Sequence, residues 1–120
     1  MKRFIIEFGS GMDFHGQDVN KAAVKAVKDA VSKSCLCGLT EILGLSDSDL
    51  NEQIEIKVTV AVSDPEAVKA DEIAAVLPIG KVTLNAVRGG LTVPGIMLER
   101  FGDKDDTIEA ALAALEVLVK

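Results

Sequence analysis

The chain has 120 residues, enough for one ordinary domain and too few for a second core. Hydrophobic residues make up 48% and charged residues 27%, which excludes a disordered or low-complexity chain. Thirteen basic against nineteen acidic residues leave a net charge of -6, and there is no Trp or Tyr and only four Phe, so neither a basic phosphate-backbone surface nor an aromatic base-stacking platform is expected.

Residues 3–8 read as a short buried strand ended by glycines. A loop follows from Gly9 to Gln17, and Asp18 is placed as a helix N-cap. From Val19, apolar or small residues recur at 19, 22, 23, 26, 27, 30, 31 and 34, the period of an amphipathic helix. Its inner face is Ala and Val, and Lys21, Lys25 and Lys28 form a solvated opposite face. Gly38 reads as its C-cap, and Leu39–Leu43 as a further turn.

Residues 45–52 carry Ser, Asp and Asn and read as loop. Gln53 to Val62 alternates Ile and Val with mostly polar residues, a strand with one buried face. Asp64 and Pro65 open a short helix over Glu66–Val76 that stops at Pro78. Lys81–Arg88 is a strand, and Gly89-Gly90 predicts a turn from which Leu91–Val93 pairs back as a hairpin. At the C-terminus, Asp105 or Asp106 caps a helix whose inner stripe is Ile108, Ala111, Leu112, Leu115 and Val119. The expected fold is a single α+β domain over residues 1–120, ordered β-α-β-(short α)-β-β-α. It has a mixed or antiparallel sheet with two long helices on one face.

Glu7 interrupts the apolar stretch that a signal peptide requires, and no window approaches the ~20 apolar residues of a membrane span. Cys35 and Cys37, one residue apart, cannot staple distant segments. The expected setting is therefore reduced and cytoplasmic, with no membrane or nucleic-acid partner. The apolar fraction is high for so small a chain, which points to a homo-oligomer.

Chemistry-bearing residues concentrate in Gly9-Ser10-Gly11-Met12-Asp13-Phe14-His15-Gly16. The dinucleotide fingerprint fails because Phe14 stands where its third glycine belongs. Gly11 and Gly16 have P-loop spacing, but Gln17-Asp18 follows in place of Lys-Ser/Thr. Asp13 and His15, two apart, fall on one side of an extended segment. Three roles fit: ligands for a divalent metal such as zinc, an acid/base pair with the carboxylate orienting the ring, or a hydrogen bond that merely fixes the loop. There is one histidine, so a further metal ligand has to come from Cys35, Cys37, an acid such as Asp18 or a neighbouring subunit. Metal ligation or a reactive thiol is one reading of the two cysteines, and the favoured one is small apolar residues at or near the helix end. Gly9, Gly11 and Gly16, with Lys81 and Arg88 at the two ends of one strand, complete the candidate ligand-binding set.

The segment from Gly9 to Gly16, with Gln17-Asp18 and the Ala-rich stretch to Ser34-Cys35-Leu36-Cys37-Gly38, resembles a family of conserved hypothetical proteins of bacteria and plants. Its signature is a near-N-terminal GxGxDxHG. The resemblance covers the whole chain and implies that Gly9, Gly11, Asp13, His15 and Gly16 are the marked residues. Over seven residues, Gly9 to His15 also resembles the start of methylerythritol cyclodiphosphate synthase. That enzyme's corresponding Asp and His hold a divalent metal together with a second histidine that this chain lacks.

These readings favour a small oligomeric enzyme acting on a small polar metabolite through Asp13 and His15. The alternatives are a metabolite- or metal-binding module without chemistry, and a structural protomer in which Asp13 and His15 lock the loop.

Overall fold

The computed structural model describes residues 1–15 and 17–120. The first strand, β1 (Lys2–Asp13), does not stop at Phe8 but continues through Gly9 and Gly11. Most of the expected glycine loop is therefore extended sheet. The helix α1 (Val19–Ser32) begins on Asp18, whose side chain accepts a hydrogen bond from the Lys21 backbone N–H, as the capping pattern predicts. It ends at Lys33, well before Gly38. Gly38 lies instead, buried, within the short α2 (Cys37–Glu41). The stretch expected as loop contains α3 (Asp47–Gln53), held by a reciprocal capping box between Ser46 and Asp49.

Next come β2 (Ile54–Val62), a 3-10 turn over Pro65–Ala67, α4 (Ala70–Ala75) and β3 (Lys81–Arg88). The single helix expected over Glu66–Val76 is thus split in two. β4 (Leu91–Pro94) pairs with the last strand, β5 (Thr107–Val119), and not back onto β3. Gly90 permits the path the chain takes between β3 and β4. It has a φ of 74°, and an added Cβ would lie 2.4 Å from the Ala110 carbonyl oxygen and 3.0 Å from that of Ala61. The chain crosses the sheet end there instead of turning back.

The main correction is β5 itself, which was expected to be the second long helix. Its sequence is rich in Ala and Leu, good helix formers. Yet it lies inside the sheet, whose order is β1-β5-β2-β3, antiparallel to both β1 and β2. Glu109, Ala111, Ala113, Leu115 and Val117 are buried against the helical layer. A two-sided apolar run fits a strand with neighbours on both flanks, and here pairing overrides local propensity. β2 and β3 are parallel, so β1, β2 and β3 all run the same way. The sheet is mixed and the domain is α+β, with α1 its one long helix.

α1 packs against β1, β5 and β2, and its Ala22, Ala23, Ala26, Val27 and Ala30 are fully buried. Small residues on both sides bring the helix unusually close. A Cβ placed on Gly9 would lie 2.3 Å from Ala26 O and Ala30 N, and one on Gly11 would lie 2.3 Å from Ala26 N. The glycines of the sequence cluster are therefore where helix and sheet backbones meet.

Helix side chains also cover the free edge of β1. The Ser10 N–H donates to Asp29 Oδ2 (2.8 Å), Lys33 Nζ to Phe8 O (3.1 Å) and Lys25 Nζ to Met12 O (3.0 Å). These contacts occupy groups that would otherwise template another strand. The Asp29 carboxyl is held below its ordinary value of 3.8, first by the Ser10 N–H and then by Lys33. Asp49 is lowered likewise, first by the Ser46 backbone N–H and then by the Ser46 hydroxyl. A carboxyl with a depressed folded-state pKa contributes stability above its unfolded value, and loses it as pH falls through the folded value. Thermal midpoints should therefore drop as the pH goes below 3.8, and less steeply in Asp29→Asn and Asp49→Asn proteins.

Among the described residues, no helix packs on the sheet face away from α1. Ile6, Phe8 and Met12 of β1 and Leu112 of β5 are exposed there. Among the described residues, no helix is long and apolar enough to cross a membrane.

Candidate functional site

Because β1, β2 and β3 run in parallel, their C-terminal ends share one edge of the sheet, together with the N-terminus of α1. Open sheets commonly bind ligands at this edge. Asp13 and His15 leave β1 there, Ser63 leaves β2, and Arg88 ends β3.

Asp13 and His15 do not pair. Asp13 is buried, and its Oδ2 accepts a hydrogen bond from the Asp18 backbone N–H at 2.8 Å. It fixes the start of α1, with Asp18 capping the next turn through Lys21 N (3.0 Å). Two carboxylates thus already occupy the positive end of this helix, which removes it as a phosphate seat. In the β1–β5 register, Asp13 stands opposite Glu109, another buried acid. Glu109 is satisfied separately, by Ser63 N (2.8 Å) and Ser63 Oγ (2.9 Å). Like charges directly opposite one another are unfavourable, and here each has its own donors.

The carboxylate that meets the imidazole is Asp103. His15 Nδ1 lies 2.8 Å from Asp103 Oδ2, and the Asp103 side chain is wholly inaccessible. With Asp103 ionised, the carboxylate can only accept, which makes Nδ1 the donor of this contact and leaves Nε2 outside it. The same Asp103 oxygen accepts from Leu98 N at 2.8 Å. The Phe101 ring is tilted over His15 at 4.8 Å between centroids, and the Arg100 guanidinium lies 5.1 Å from the Phe101 ring. Gln17 ties the two loops together: its Oε1 accepts from Lys104 N (2.8 Å) and its Nε2 donates to the Asp105 and Thr107 carbonyls (3.2 Å each). Gln17 does this at a φ of 47°, a left-handed conformation that costs a non-glycine residue energy.

Phe14, His15, Gly95, Ile96, Leu98 and Ile108 line a shallow, mainly apolar groove of about 400 Å³ beside this pair. His15 is 37% exposed, so one face of the ring reaches the groove while Nδ1 stays engaged.

The other sequence candidates separate. Arg88 lies at the site edge, donating to Ser63 O at 2.9 Å, while Lys81 lies at the opposite end of β3. Cys35 and Cys37, both exposed with free thiols, follow the C-terminus of α1. A helix of 14 residues spans about 21 Å at 1.5 Å per residue. The cysteines cannot complete a metal site with Asp13 and His15, which precede that helix. Among the described residues, no group of three His, Cys, Asp or Glu side chains is placed to hold a metal. Within one chain, the described residues do not bring Asp13, His15 and the cysteines together as metal ligands, one of the three roles that the sequence left open. Gly9 and Gly11 serve packing, and Gly16 lies outside the described residues.

Asp103, Phe101, Leu98 and Gln17 are not among the candidate site residues that the sequence points to. Asp103 lies just before Asp105 and Asp106, either of which reads as the cap of an expected helix. Only the pairing of β5 with β1 returns this loop to the end of β1.

A solved structure from Nostoc punctiforme, described as an FtsZ-like protein of unknown function, is 42% identical to this chain. The match covers 99% of this chain and 96% of that one, with a TM-score of 0.86. No curated protein matches significantly. Residues 3–117 match the family described as conserved hypothetical protein (Lin0512_fam), in keeping with the kind of family the sequence resembled. The chain therefore belongs to this family of conserved hypothetical proteins.

Proposed function

We propose that this protein is a small enzyme in which His15 transfers a proton on a small metabolite seated in the groove between Phe14 and Ile108. The observation that carries this reading is the His15–Asp103 pair at the groove wall. Asp103 holds the ring through Nδ1 and stabilises the imidazolium, and Nε2 accepts the proton. Asp13, expected to share this chemistry, is a positioning residue that fixes α1 and the loop carrying His15. The apolar lining favours a substrate with an apolar stem beside its reacting group.

Two probes test the reading: hydrolysis of p-nitrophenyl butyrate, and solvent deuterium uptake alpha to the carbonyl of 2-oxobutyrate. Turnover of either, lost in His15→Ala, supports it. No turnover of either probe, or unchanged rates in the variant, defeats it.

The free thiols of Cys35 and Cys37 support a reducing, cytoplasmic setting. The uncovered sheet face supports a homo-oligomer. Phe8 is 67% and Leu112 57% exposed on it, and contiguous apolar surface of this kind usually marks an interface. Sedimentation should find an assembly larger than 12.7 kDa. The double variant Phe8→Glu/Leu112→Glu should sediment as monomer, and a parent protein that is itself monomeric at high micromolar concentration ends the proposal.

A further inference from the structure

A second cavity of about 320 Å³ opens between the sheet, the end of α1, α2 and the chain before β3. Its floor is Glu7, Ile56, Leu115 and Val117, and Ser34, Cys35 and Pro78 stand at its sides. The volume is at the small end of ligand pockets, which run from about 300 Å³ upward.

The unusual member is Glu7. Along the inward face of β1 the series is Glu7, Gly9, Gly11 and Asp13. The residue opposite Glu7 on β5 is the buried Leu115. Packing alone calls for an apolar side chain here. Glu7 is instead 7% exposed, with Oε2 accepting a hydrogen bond from Ser34 Oγ. Among the described residues, no Lys, Arg or His forms an ion pair with it. One serine hydroxyl is small compensation for burying a carboxylate, which normally requires an opposite charge or several donors. Glu7 also has no part in the chemistry at His15. His15 follows the end of β1, and six residues of strand separate Glu7 from Asp13 by about 20 Å.

We infer that this cavity binds a small organic cation, a primary ammonium on an apolar stem, with Glu7 as its counter-ion. The ammonium supplies the charge and donors that Glu7 lacks. The stem lies against Val31, Ile56, Leu115 and Val117. The Ser34 hydroxyl orients the carboxylate and leaves its other oxygen for the ligand.

The test uses three probes of equal stem: n-hexylamine, 1-hexanol and hexanoate, titrated into the protein near neutral pH and followed by methyl NMR and calorimetry. The amine should bind at least about tenfold more tightly than the alcohol, the carboxylate should not bind, and the methyl signals of Val31, Ile56 and Leu115 should move. Glu7→Gln keeps the shape of the side chain and an oxygen for Ser34, and it should bring the amine down to the level of the alcohol. Equal binding of amine and alcohol by the parent protein, shifts confined to other residues, or amine binding unaffected by Glu7→Gln would overturn the inference. The probe series on the parent protein decides the matter even if the variant is unstable.

Discussion

Gly9→Ala and Gly11→Ala should each destabilise the fold by about 3 kcal/mol, and Gly11→Val should abolish it. The expected drop in thermal midpoint for each alanine variant is about 10 °C. The usual gain from replacing glycine, a less flexible unfolded chain, is well under this cost. The new methyl groups would sit 2.3 Å from backbone atoms of α1, at Ala26 and Ala30 for Gly9 and at Ala26 for Gly11. Backbone cannot rotate away as a side chain can, so the whole helix would have to lift. Lifting it would open the fully buried contacts of Ala22, Val27 and Ala30 against β1 and β5. A control follows from the same geometry. Ala26→Gly removes a methyl group but leaves the Ala26 carbonyl and amide in place, so it should not rescue either variant. Guanidinium melts would settle the point: parental stability in Gly11→Ala would rule out so close an approach.

The second large effect separates His15 from Asp103. His15→Ala should reduce turnover of a responsive probe by about 10²–10⁴-fold, the usual contribution of a general base. It should change stability little, because the ring is 37% exposed. Added imidazole should restore part of the rate. Asp103→Ala should lose activity as well, and also about 3 kcal/mol of stability, because the Leu98 N–H would lose a buried acceptor. Asp103→Asn should separate the two roles. Its amide oxygen can still accept from Leu98, but without the negative charge it no longer favours the imidazolium. The rate should fall and its dependence on pH should shift, with most of the stability kept. If His15→Ala costs as much stability as Asp103→Ala and no activity is found, the pair is structural and the proposed chemistry fails.

Local signals identified several elements well. Asp18 caps α1, the Ala face of α1 is buried, the alternation of β2 puts Ile54, Ile56, Val58, Val60 and Val62 inside, and Gly80 precedes β3. Each depends on a period or a cap that neighbouring residues carry by themselves. The two main differences have separate causes. α3 hides in a polar stretch because its stability comes from the Ser46–Asp49 box. β5 looks helical because its Ala and Leu positions satisfy either period. The site follows from the second of these: a helix capped by Asp105 or Asp106, with its stripe from Ile108 to Val119, gives no reason to place Asp103 beside His15.

Composition and pattern alone determined a single small α+β domain, a helix packed through alanines, and a glycine-rich segment ending in an acid and the only histidine. Those properties are written in short stretches of chain, where propensity, capping and periodicity act. Tertiary structure decided the rest. It inserted the last strand between the first and second, turned Gly9 and Gly11 into contacts with α1, assigned Asp13 to the helix start, and brought Asp103 to His15. The physical reason is distance along the chain. His15 and Asp103 are 88 residues apart, and only the register of β5 against β1 joins them.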